Sequence, residues 1–229
     1  MKITPVDYRR FRPGLINTPE FSHLWLLLYW PLYGLGFMYV ERFYNVEHYQ
    51  PMYCPLDDAI PFNELFLIPY LFWFVFLIGM LAYTLFFEPD SFRHMMYFIM
   101  ATYTVAIITY FIFPNCQLLR PAEFARDNIL TRFMAWFYTF DTNTNVCPSI
   151  HVLGSFAVAF TAWNTERFKA PGWMWAFGLM ALLISVSTLF VKQHSVIDVA
   201  AALLLCAVFY VPCFKCAKTK RPVMANRIY

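Results

Sequence analysis

The chain has 229 residues, 60% hydrophobic, 21% aromatic and only 14% charged, with a formal net charge of +3. Soluble domains carry roughly 25% charged residues, so a water-soluble globular fold is excluded. A charge this small and scattered gives no indication of nucleic-acid binding, and the composition is that of a chain whose solvent is mostly lipid.

Taken in order, the hydrophobic pattern predicts an all-α integral membrane bundle of six transmembrane helices. Residues 1–20 are polar and carry Lys2, Arg9, Arg10 and Arg12. The first span, 21–40, contains Pro31 and lacks an A-x-A-type cleavage site, so it reads as an uncleaved helix. An acidic, proline-bearing connection follows, with Glu41, Glu47, Asp57 and Asp58. Spans two and three, 64–87 and 92–113, are joined by Glu88-Pro89-Asp90-Ser91, which has turn chemistry. The longest connection, 114–148, carries an amphipathic stretch at 122–140, suited to a helix lying on the membrane surface. Spans four to six are expected at 149–163, 173–191 and 196–214, followed by a basic tail, 215–229. One membrane domain, 21–214, therefore lies between two polar ends.

Lys and Arg counts orient the bundle. One side carries Lys2, Arg9, Arg10, Arg12, Arg93, Arg167, Lys169, Lys215, Lys218, Lys220, Arg221 and Arg227. The other has only Arg42, Arg120, Arg126, Arg132 and Lys192. Both termini are expected to be cytoplasmic, with the plasma membrane as the expected location.

Three polar stretches converge on the opposite face. Lys192-Gln193-His194-Ser195-Val196-Ile197-Asp198 enters the last span and places His194 and Asp198 at i, i+4, one turn apart. Cys147-Pro148-Ser149-Ile150-His151 opens span four, with Ser149 as N-cap and His151 in the first turn. Leu119-Arg120-Pro121 follows span three and supplies a guanidinium suited to phosphate. A carboxylate that fixes a histidine tautomer leaves the other ring nitrogen free to attack. A second histidine can protonate a leaving oxygen. Cations and helix-terminal N–H groups can hold a transferring phosphoryl without a metal. Two histidines and a carboxylate would also suit a metal site, a lower-ranked alternative.

These stretches resemble the motifs of the type 2 phosphatidic acid phosphatase superfamily of membrane enzymes. Pro148-Ser149-Ile150-His151 is similar to its P-S-G-H motif, His194 and Asp198 to its terminal H-x-x-x-D, and Arg120-Pro121 to the end of its K-x-x-x-x-x-x-R-P motif. The resemblance covers about residue 92 to the end of span six. It implies a nucleophilic His194, an orienting Asp198 and an acid, His151. Arg120, Lys192 and Ser149 are the expected phosphate-binding residues, with no cofactor and no metal.

The departures are specific. Phe113 stands at the family lysine, Thr188 at the family arginine and Ile150 at the motif glycine. Lys192 is a candidate substitute for one lost cation. Such losses resemble the branch of inositol phosphorylceramide synthase and other head-group phosphotransferases, whose phosphodiesters bear a single charge. The expected activity is hydrolysis of a lipid phosphate at the non-cytoplasmic face through a phosphohistidine. Head-group transfer with the same residues is the alternative, and a non-catalytic lipid-binding or transport protein the second. Cys116 and Cys147 bracket the long loop; free, packed thiols are expected, with a disulfide in an oxidising compartment as the alternative.

Overall fold

Prolines and caps decide where these helices start. In the computed structural model, which describes residues 6–216, α1 spans Tyr29–Arg42 and a 3-10 segment, Ser22–Leu28, leads into it. Pro31 thus falls in the first α-helical turn, at the change from 3-10 to α geometry, where the i→i−4 ladder is only beginning. α2, Leu56–Ala59, is a single turn in the loop that follows. α3, Leu67–Phe87, likewise has Pro69 in its first turn, and α4, Pro89–Ile112, opens on a proline. The expected four-residue turn between spans two and three is therefore corrected. Only Glu88 separates the helices, since Pro89 presets a helical φ and Ser91 Oγ donates to Glu88 Oε2 at 3.0 Å.

The amphipathic helix is also shorter than expected. α5 spans Ile129–Phe140, because Asn128 caps it. The Asn128 Oδ1 accepts from Leu130 N at 2.9 Å and Thr131 N at 3.1 Å, while Thr131 Oγ1 accepts from Asn128 N at 2.9 Å. That capping box leaves Glu123, Arg126 and Asp127 in the preceding loop. α6 is Ile150–Asn164, α7 Pro171–Phe190 and α8 Val196–Val211, the last continued by a π-helical turn, Pro212–Cys216. Two short strands, β1 (Gln50–Pro51) and β2 (Asn115–Cys116), pair in parallel.

Among the described residues, four helices are long and apolar enough to cross a membrane: Glu64–Phe87, Pro89–Ile112, Pro171–Phe190 and Val196–Cys216. The first and fourth expected spans, α1 and α6, are shorter. α6 has 15 residues, or about 22 Å at 1.5 Å per residue, against a hydrocarbon core of about 30 Å.

α6 is the hub, packed against α3, α4, α7 and α8. Its Gly154, Ser155, Ala157, Ala159 and Ala162 are buried, and such small residues let helix backbones approach closely. A Cβ at Gly154 would lie 2.7 Å from Tyr103 Oη and 2.9 Å from Trp73 Nε1, so glycine is required there. Buried hydroxyls satisfy themselves on their own helix: Thr102 on Phe98 O, Ser155 on His151 O, Thr161 on Ala157 O and Ser185 on Ala181 O. The outer faces of α3, α7 and α8 expose Val75, Ile78, Leu179 and Leu204 by about 60%, an apolar girdle that only lipid or another apolar surface covers without penalty. The C-terminal ends of α1, α4 and α7 and the N-terminal ends of α3, α6 and α8 gather at one end of the bundle, where all three motif stretches lie. Lys2, Lys218, Lys220, Arg221 and Arg227, used above for orientation, lie outside the described residues.

Candidate active site

His194 is held between two helix ends. α7 closes in a Schellman turn, in which Lys192 N–H donates to Leu189 O at 3.2 Å and Gln193 N–H to Thr188 O at 2.9 Å. Lys192 occupies the left-handed position of that turn, φ 52°, where glycine is the usual residue. His194 N–H bonds the same Thr188 carbonyl at 3.2 Å. Ser195 then caps α8: its Oγ accepts from Ile197 N at 3.2 Å, and its own N–H donates to Asp198 Oδ2 at 2.8 Å. Asp198 Oδ2 also faces His194 Nδ1 at 3.3 Å. A carboxylate opposite Nδ1 selects the tautomer protonated there and leaves the Nε2 lone pair free.

The facing wall comes from residues 113–149. The buried Asn115 side chain knits it together, accepting at Oδ1 from Val146 N and Cys147 N, each at 2.8 Å, and donating to Cys147 O at 3.1 Å. The Cys147–Pro148 peptide is cis. Ser149 N–H donates to Asp198 O at 3.3 Å, which ties the start of α6 to the first turn of α8. His151 follows in the first turn of α6. Its ring lies between Tyr70 and Trp73, each centroid 4.6 Å away, and 5.6 Å from the ring of His194. His151 Nδ1 is buried without a partner among the described residues.

A cleft of about 370 Å³, measured out to its open mouth, runs between these walls, and His151, His194, Asp141, Thr142, Asn145 and Gln193 line it. The structure brings the two expected histidines together there, with Asp198 directly behind His194. Ser149 is fully buried and serves as the α6 cap, its Oγ accepting from Val152 N at 3.5 Å. Arg120 and Lys192 do not line the cleft. Arg120 Nη1 donates to Tyr138 O at 3.1 Å, and Nη2 to Asp141 O at 2.9 Å, Thr142 O at 2.7 Å and Gln193 Oε1 at 2.6 Å. Its Nε–H alone is buried without an acceptor among the described residues. Lys192 Nζ donates to Asp57 O at 2.8 Å.

Electrostatically the wall is a buried cation–carboxylate assembly. Burial pushes the Asp141 carboxyl above its ordinary range, against the opposing hydrogen bond from Tyr70 and the charge of Arg120. Burial lowers the Arg120 guanidinium and the Lys192 ammonium, with Asp141 and Asp57 respectively opposing it. The Cys147 thiol is pushed up to about 12 by burial and by the neighbouring Asp198, so it is a neutral thiol at physiological pH. Cys116 and Cys147 are both free. Among the described residues no group of three or more His, Cys, Asp or Glu side chains is placed to hold a metal ion.

A family profile, described as the PAP2 superfamily, matches residues 94–222, more than half of the chain. The chain belongs to the PAP2 superfamily. No curated protein and no solved structure matches it. PAP2 superfamily members are usually phosphatases or phosphotransferases, which places this chain with membrane enzymes of that class and points to a lipid phosphate as substrate. Arg120, His151, Lys192, His194 and Asp198 fall inside the PAP2 match. Tyr70 and Trp73, which flank His151, lie before the match, as do two acids that reach the site and that sequence reasoning did not single out. Glu41, at the end of α1, accepts from Thr142 Oγ1, from Thr144 Oγ1 at 3.3 Å and from Asn145 Nδ2 at 2.5 Å. Asp57, in α2, accepts from Ser195 Oγ at 2.6 Å and Val196 N at 2.8 Å. No spacing or periodicity separated either from the neighbouring acids of their loop.

Proposed function

We propose that the chain hydrolyses a lipid phosphoester through a phosphohistidine on His194, without a metal. The observation that carries this reading is the pair of histidine rings 5.6 Å apart in one cleft, with His194 Nδ1 against the Asp198 carboxylate. His194 Nε2 attacks phosphorus, the P–O bond to the leaving group breaks, and His151 gives that oxygen its proton. Water then attacks the phosphohistidine, His151 takes the proton released, and the P–N bond breaks to free phosphate and His194. Arg120, Lys192 and Ser149 are the residues this reading assigns to phosphate; all three are engaged by protein groups and none lines the cleft, so holding a phosphoryl requires substrate to displace those partners.

Transfer to an alcohol is the second reading. It is favoured by the neutral and acidic lining of the cleft and by the engagement of Arg120 and Lys192 with backbone carbonyls. A singly charged phosphodiester needs fewer cations than a dianionic monoester. In both readings α1 and α6 complete a six-span bundle, both termini are cytoplasmic in the plasma membrane, and the cleft opens on the outer face.

The test is turnover of labelled lipid monoesters and diesters by purified protein, scoring free phosphate against transferred head group. His194→Ala and His151→Ala are each expected to lose activity by at least about 10³-fold and about 10²-fold respectively, and EDTA to leave the wild type unaffected. Full turnover by either variant on every substrate the wild type accepts would overturn the mechanism.

A further inference from the structure

We infer that Asp57, in the loop between α1 and α3, is a positioning residue for His194, an inference that rests on the histidine-nucleophile reading above. Asp57 is only 2% exposed, yet among the described residues its carboxylate pairs with no cation. It is satisfied by three donors instead: Cys54 N at 2.8 Å, Ser195 Oγ at 2.6 Å and Val196 N at 2.8 Å. Its main-chain oxygen takes the Lys192 ammonium at 2.8 Å. One residue therefore grips both flanks of His194, Lys192 before it and Ser195 and Val196 after it.

A residue that merely shaped its own loop would bond within that loop, and only the Cys54 contact does so. The other contacts span well over a hundred residues of sequence. The bond to Ser195 also has a fixed direction. A carboxylate can only accept, so the Ser195 hydroxyl proton points at Asp57 and its lone pairs are left to cap Ile197 N–H. The Ser195 N–H goes to Asp198 Oδ2, the oxygen that faces His194 Nδ1. Asp57, Ser195, Asp198 and His194 thus form a continuous hydrogen-bonded chain, and its first member sets the geometry of the last. Removing a buried acceptor leaves the donors facing it unpaired, and a displacement of about 1 Å at a reacting group can cost about 10²-fold in rate. Asp57 lies before the region matched to the superfamily, so the positioning of this nucleophile is completed by a part of the chain that the match does not cover.

The experiment uses the full chain in detergent micelles, with dioleoyl phosphatidic acid and dioleoyl phosphatidylglycerol as monoester and diester probes. Histidine-selective ¹⁵N spectra provide a readout that needs no turnover, the His194 signal being the one lost in His194→Ala. Asp57→Asn is expected to lower kcat per folded molecule about 10- to 100-fold, to leave KM within about twofold, and to shift the His194 signal. Ser195→Ala breaks the same chain at its second link. The double variant is expected to fall no further than the worse single one, as residues acting as a unit do. Asp58→Asn, whose exposed carboxylate accepts from the Tyr53 hydroxyl at 2.5 Å and, among the described residues, makes no hydrogen bond to the Asp57–Ser195–Asp198 chain, is expected to match the wild type. If His194→Ala is inactive while Asp57→Asn keeps full kcat and an unshifted His194 signal, the positioning role is overturned and the nucleophile reading stands. If His194→Ala remains fully active, the nucleophile reading falls and the positioning role with it.

Discussion

His151 and His194 meet because two helices start at the same level of the bundle. Their motif spacing is local, so both were legible in the sequence, as was Asp198 one helical turn after His194. Arg120 was legible as a residue, but its surroundings were not. Its guanidinium braces the cleft wall through four acceptors on Tyr138, Asp141, Thr142 and Gln193, and it stacks on the Tyr138 ring at 4.3 Å. Lysine keeps the charge but cannot reproduce a planar fork of five donors. Arg120→Lys is therefore expected to lose roughly 1–3 kcal/mol of stability and to lower kcat more than it raises KM. Thermal unfolding measured beside steady-state kinetics checks this. A raised KM at unchanged stability would instead make substrate phosphate the main partner of Arg120.

At the scale of elements, hydrophobic runs located the apolar helices well, while their ends followed cues that periodicity does not carry. Pro89 moved the start of α4, Asn128 trimmed α5, and the short α6 became a core helix packed on all sides. α5 is the element whose two faces differ most. Thr131, Met134 and Phe137 are buried against the bundle, whereas Ile129, Trp136 and Phe140 are 83%, 59% and 66% exposed. That exposed apolar stripe suits the headgroup boundary, where aromatic side chains anchor. Replacing Trp136 and Phe140 by Gln is expected to raise KM about threefold to tenfold for long-chain lipid in vesicles. Turnover of a short-chain, monomeric phosphoester should be unchanged. Equal loss on both substrates would show that α5 shapes the cleft rather than seating it at the membrane.

For the whole molecule, the loops from α1 to α3, α4 to α6 and α7 to α8 all meet at one end, and the loop before α7 lies at the other. Convergence of the three motifs on one end was readable from the alternation of the expected spans. The involvement of Glu41 and Asp57 was not, because a connection with four acids gives no reason to single out two. Free cysteines near the two ends offer a direct measure of orientation. Cys54 lies at the cleft end, partly exposed, and Cys216 at the opposite end, exposed. A membrane-impermeant maleimide applied to intact cells is expected to label Cys54, with Cys216 reacting only after permeabilisation. The reverse pattern would turn the bundle over.

The left-handed residue that ends α7 has one more consequence. A side chain with a Cβ is held there at a penalty of roughly 1–2 kcal/mol that glycine would avoid, so Lys192→Gly is expected to be more stable than Lys192→Ala by about 1 kcal/mol in thermal unfolding. Both variants lose the ammonium that reaches Asp57, which isolates the backbone effect. A sequence tuned only to avoid backbone strain would place glycine at position 192. The lysine that stands there carries the ammonium that ties the turn between α7 and α8 to the main chain of Asp57, a contact that glycine would forfeit while relieving the backbone.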